Sequence, residues 1–125
     1  LGIGDVSLVK ATSILPKDVI LVEKLEKTLE EGSNVPAIYA FELSSKPGEK
    51  ITAALGVART DKGPTLVAEF HGRGLGAREA EEEVLKRLKY MAEVRGIKIL
   101  ESKVYSTEHI VKKVGCSLAI AVEIE

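Results

Sequence analysis

Apolar and polar residues follow two periods along this chain. Residues 6–14 are apolar and β-branched with partial alternation, which predicts a strand. Leu15, Pro16, Lys17 and Asp18 break it. Residues 19–23 predict a short buried strand, and 24–35 a charged loop whose Leu25–Leu29 stretch suits a helical turn. Residues 37–44 predict another strand. Ser45, Lys46, Pro47 and Gly48 have the order of a type II turn. In residues 50–60, Ile51, Leu55 and Val57 point one way. Thr52, Ala54, Gly56 and Ala58 point the other. Neither face is strongly polar, so both are expected to be covered.

A second hairpin turn at 61–64 leads into a strand at 65–71, and Gly72, Gly74 and Gly76 mark a bend. The period then changes. Ala77, Ala80, Val84, Leu88, Met91 and Arg95 recur at steps of three and four, which predicts a helix over 77–95. Its early glutamates and later Lys86, Arg87 and Lys89 suit the helix dipole, and Gly96 suits the C-terminal cap. At ~1.5 Å per residue such a helix is roughly 28 Å long, enough to cover a sheet. Its charges read as a solvated face. Residues 97–106 predict a strand, 107–115 are open between helix and strand, and 116–124 predict a closing strand. Strands joined by hairpins around one long helix give an α+β class, mostly antiparallel.

The chain has 125 residues, which suits a single domain spanning 1–125. A net charge of -1, with dispersed Lys and Arg, gives no footprint for nucleic acid. No apolar run approaches the ~20 residues of a membrane span. The lone Cys116 forms no internal disulfide and fits a reducing, cytoplasmic setting; it is expected to fill core. Gln is absent, Asn34 is the only Asn, and 30% of residues are charged, a bias like that of thermophile proteins. The chain begins at Leu1 rather than Met, which leads us to expect sequence upstream.

Four places could carry chemistry. Ser13 follows Thr12 at the end of an apolar run and precedes a proline loop. Its hydroxyl either attacks the preceding carbonyl or simply bonds backbone at a strand end. Glu69 interrupts the apolar run Leu66–Phe70 and stands either on a wet face or in a protected site suited to proton transfer. His71 and His109 lack metal-ligand spacing, so no metal is expected. The glycines at 72, 74 and 76 lack the context of a dinucleotide fingerprint.

Taken in order, several motifs carry a resemblance. They are Gly2-Ile3-Gly4-Asp5-Val6 running into Thr12-Ser13-Ile14-Leu15-Pro16, then Val35-Pro36-Ala37-Ile38-Tyr39-Ala40 and Pro47-Gly48-Glu49-Lys50-Ile51. Ala68-Glu69 and Glu108-His109-Ile110-Val111-Lys112-Lys113-Val114-Gly115-Cys116 complete the set. Together they resemble the pyruvoyl-dependent arginine decarboxylase family over essentially the whole chain. The resemblance implies self-cleavage between Thr12 and Ser13, with residues 1–12 ending a β chain and 13–125 forming an α chain. Ser13 would become a pyruvoyl group, which does the work of pyridoxal phosphate on an amino-acid substrate. Arginine would give agmatine and CO2, in polyamine synthesis, with Glu69 returning the proton. Ser7, where the family usually has Asn, would assist cleavage. The implied fold is a layered αββα sandwich, and the implied assembly a homotrimer or a dimer of trimers. The family also has an upstream acidic residue for the guanidinium, in a segment not present here. The alternative is a homologue that does not mature and serves as a small-molecule-binding or assembly subunit.

Overall fold

β4, Lys50–Thr60, organises the molecule because almost every side chain on it is small or apolar. A strand with two such faces gains by being covered on both. In the computed structural model, which describes residues 3–10, 13–24 and 28–124, that is its position. β4 lies inside a four-stranded sheet of order β2-β5-β4-β6, with β2 at Ile14–Leu15, β5 at Thr65–Arg73 and β6 at Ile99–Ile110. A smaller sheet of order β1-β3-β7 packs on one face, from Ser7–Lys10, Asn34–Ser44 and Gly115–Val122. The helix α1, Ala77–Arg95, covers the other face. Among the described residues every strand pairing is antiparallel except β1 with β3, and the layers run helix, sheet, sheet. The α+β sandwich therefore stands, with its one helical layer on the larger sheet.

Alternation on β4 divides the core. Ala54 and Ala58 join Leu66 and Ala68 of β5 against Ala80, Val84, Leu88 and Ala92 of α1. Ala53, Leu55 and Val57 join Val67 against Ile38, Ala40 and Ala119 of the smaller sheet. The helix side carries small residues because α1 lies close. A Cβ on Gly56 would collide with Val84 Cγ1 and stand 2.9 Å from Leu88 Cδ1. At the far end of α1, Gly96 adopts φ 65°, and its N–H reaches back to the carbonyls of Ala92 and Glu93.

The predicted helix has the observed bounds, and the strand predicted at 50–60 is β4. The ambiguous stretch 107–115 continues β6 to Ile110 before a turn. Two expectations fail. Residues 6–14 are not one strand: β1 and β2 lie in different sheets, because the chain crosses between the layers there. Residues 19–23 form no strand, and Ile20 and Val22 are exposed, while Leu21 packs on the core between the sheets. Of the helical turn expected at Leu25–Leu29, residues 25–27 fall outside the described residues; Thr28 and Leu29 are irregular. Among the described residues, no helix is long and apolar enough to cross a membrane.

Candidate functional site

The site forms where the chain passes from the smaller sheet to the larger. Lys10 ends β1 in the smaller sheet, and Ile14 opens β2 in the larger. Ser13 stands just before β2. Its carbonyl accepts a 2.8 Å hydrogen bond from the N–H of Val67, and Ile14 pairs with Leu66. The edge of β5 therefore fixes the backbone at Ser13, while the residue itself is exposed. Thr12, expected on the acyl side of a cleavage bond, lies outside the described residues.

Glu69 is two residues along β5 from Val67. Strand alternation puts both on the face toward the smaller sheet, while Leu66 and Ala68 face the helix. Glu69 Oε1 lies 3.6 Å from Lys10 Nζ, and the Glu69 side chain keeps 32% of its exposure. Its Oε2 is buried without a hydrogen-bond partner among the described residues. The carboxyl is thus neither on a wet face nor wholly protected: one oxygen meets a cation and the other is secluded. A secluded carboxylate oxygen without a partner is costly, which marks Glu69 as a candidate for contact with a ligand.

From the other side, Arg87 of α1 donates to the backbone carbonyl of Glu69. Its guanidinium lies 5.1 Å from the centroid of the Phe70 ring, a cation–π distance, and 3.6 Å from Glu83. Glu83, Lys86, Arg87, Tyr90 and Met91 form one wall of an open depression of about 550 Å³. Ser13, Val67, Ala68 and Glu69 form the opposite wall. The charged face of the helix is therefore not wholly solvent-facing. The signal was in the spacing: 83, 87 and 90 flank the apolar stripe on one side, and that side overhangs the edge of β5.

The same face of β5 carries a second charged group. Glu42 of β3 holds His71 Nδ1 at 2.9 Å and Arg73 Nε at 2.7 Å, tying the two sheets together. Burial pushes the Glu42 carboxyl up, but the hydrogen bonds and charges of His71 and Arg73 outweigh it and leave its pKa below the ordinary value. No local pattern marks Glu42, or Lys10, because each meets residues far away in the chain.

Ser7 is exposed at the start of β1, its N–H donating to the Ser33 carbonyl at 2.8 Å. Among the described residues, no hydrogen bond joins its side chain to Ser13. The structure thus brings Ser13 and Glu69 to one depression and leaves Ser7 on the strand leading to it. Cys116 does not fill core. It is exposed, because alternation on β7 turns Ser117 and Ala119 inward and Cys116 and Leu118 outward.

Comparison with known proteins places the chain in one family. The family model described as pyruvoyl-dependent arginine decarboxylase matches residues 1–125. The pyruvoyl-dependent arginine decarboxylase of Methanothermobacter thermautotrophicus is 36% identical over 124 residues, covering 99% of this chain and 80% of that protein. Its counterpart in Pyrococcus abyssi is 37% identical over 98% of this chain and 77% of its own length. That of Methanocaldococcus jannaschii is 38% identical over 96% of this chain and 72% of its own.

Proposed function

The chain belongs to the pyruvoyl-dependent arginine decarboxylase family, and from that membership we propose that it converts arginine to agmatine and CO2 on a pyruvoyl group made from its own Ser13. The observation that carries this reading is that Ser13 and Glu69 line one depression, and that one carboxylate oxygen of Glu69 is buried without a partner among the described residues. The residues fit the group. Ser13 is tethered through its carbonyl, so its own side-chain carbons can change without loosening the strand.

In maturation, Ser13 Oγ attacks the carbonyl carbon of Thr12 and takes over the acyl group as an ester. Elimination then releases residues 1–12 with a terminal carboxylate. Hydrolysis of the dehydroalanine left at position 13 gives the ketone, with loss of ammonia. Ser7, six residues upstream, is proposed to assist by hydrogen bonding as charge develops on the scissile carbonyl. Once formed, the pyruvoyl group supplies a carbonyl that condenses with an amine and accepts the electrons left by departing CO2.

Glu69 gives its proton to the substrate carbon that has lost CO2. Its buried oxygen is kept from water, which limits competing proton exchange. Arg87 holds the backbone carbonyl of Glu69, so the strand carrying the acid is braced from the helix. A homotrimer, or a dimer of trimers, belongs to the same proposal. In its support, Phe41 and Leu118 lie opposite each other and, with Leu43, leave an apolar outer face on the smaller sheet. A cytoplasmic setting is likewise proposed, in keeping with a single cysteine.

The test is the intact mass of the denatured protein, followed by an assay of CO2 and agmatine from arginine. Loss of residues 1–12, a carbonyl terminus at position 13 and agmatine formation are expected. An unbroken chain that forms no agmatine would overturn the proposal in favour of a non-maturing binding or assembly subunit.

A further inference from the structure

Among the described residues, Lys10 is the one cation within salt-bridge reach of the Glu69 carboxylate, and it reaches it from across the proposed cleavage bond. Its Nζ stands 3.6 Å from Glu69 Oε1 and 5.2 Å from the centroid of the Tyr39 ring. Two restraints at the tip of a flexible lysine stem define its position better than one would. The strand beneath it is also fixed. Ser7, Leu8, Val9 and Lys10 run in parallel register with Asn34, Val35, Pro36 and Ala37.

The Lys10 side chain is 57% exposed, so as a stabilising ion pair it contributes little. Its effect is better sought in orientation. A carboxylate turns about its last carbon–carbon bond. Holding one oxygen therefore sets the place of the other, and here the other is the buried, unpartnered Oε2. We propose that Lys10 is a positioning residue: it anchors Glu69 Oε1 so that Oε2 is presented to the reacting carbon. This rests on the function proposed above.

A consequence concerns the peptide released by cleavage. Lys10 lies upstream of Ser13, so in the matured protein the positioning cation and the proton donor belong to different chains. The released segment then remains a working part of the site. It is held by the β1–β3 ladder and by the Lys10–Glu69 pair, not by a peptide bond.

The experiment compares the wild-type protein with Lys10→Met and Lys10→Arg. Carboxyl groups are coupled to glycinamide with a carbodiimide, and labelling is read peptide by peptide by mass spectrometry. Glu69 labelling should rise several-fold in Lys10→Met and stay near wild type in Lys10→Arg. Glu42, held by His71 and Arg73, should not change in either, which controls for folding. The same labelling in a Ser13→Ala background reads the pair without maturation. In the active enzyme, Lys10→Met should lower kcat about ten- to hundredfold, with KM and the cleaved fraction near wild type and with rescue by Lys10→Arg. Unchanged Glu69 labelling, or an unchanged kcat, overturns the proposal, and so does a variant that fails only in cleavage. If the wild-type protein makes no agmatine, the functional reading falls, while the labelling still decides whether Lys10 holds Glu69.

Discussion

β4 and the β1–β2 crossing are built to opposite rules. β4 is eleven residues long, and all but two of them are buried. β1 has four residues, all exposed, and β2 has two. The first is held by apolar contact on two faces. Among its described residues, the second is held by backbone hydrogen bonds to β3 and β5, by Leu15 packed on the core, and by the contacts of Lys10 with Glu69 and Tyr39. The proposed cleavage between Thr12 and Ser13 falls in the second region. The first region fixes β5, and β5 fixes Ser13 and Glu69. The stable part of the molecule works as a template for the less constrained part.

The largest expected effect tests this division directly. Ser13→Ala should abolish both cleavage and agmatine formation. Its denaturation midpoint should shift by no more than about 0.5 kcal/mol of stability, because Ser13 is exposed and its carbonyl is retained. A large loss of stability would mean the crossing is structural after all. Next comes Glu69→Gln, which keeps the shape but cannot give the proton. It should mature normally, as intact mass would show, and lose about 10²–10⁴-fold in kcat. Loss of cleavage in that variant would instead place Glu69 in maturation. The loss in Lys10→Met is expected to be smaller.

On the template side, Gly56→Ala should cost about 1–3 kcal/mol in urea unfolding, because its Cβ would meet Val84 and Leu88 where α1 lies on β4. A neutral result would show that the helix has room to move. The smallest effect concerns the Glu42 tie between the sheets. Glu42 has a lowered pKa in the folded state, so its stabilisation is complete above the ordinary carboxylate range and is lost as pH falls through the lowered value. Its partners are half exposed, so the contribution is about 1 kcal/mol or less. Glu42→Gln should flatten the acid side of the stability-against-pH curve by that amount. An unchanged curve would mean that other carboxylates carry the acid dependence.

Elements with a strong period are legible in the sequence. The three- and four-residue steps from Ala77 to Arg95 mark α1, and the small and apolar faces of residues 50–60 mark a strand covered on both sides. The β1–β2 stretch is not legible in that way. A run of apolar and β-branched residues with partial alternation has no mark where a chain changes sheets, so residues 6–14 read as one strand. Residues 19–23 have strand-like composition, but composition supplies no pairing partner. Ser13 and Glu69 stand out because each breaks a local pattern. Lys10, Arg87 and Glu42 break none, and their roles come from partners 59, 18 and 29 positions away.

The sequence by itself determined the α+β class, the helix and the central strand, and offered Ser13 and Glu69 as candidates whose roles the family resemblance implied. It could do so because periodicity and local pattern are properties of neighbouring residues. Tertiary structure alone decided that the chain changes layers between Lys10 and Ile14, that Val67 tethers Ser13, and that Glu69 has one oxygen beside a lysine and one secluded. Those facts depend on which faces meet once the sheets stack. Stacking follows from burying the whole apolar surface together, which no single segment encodes.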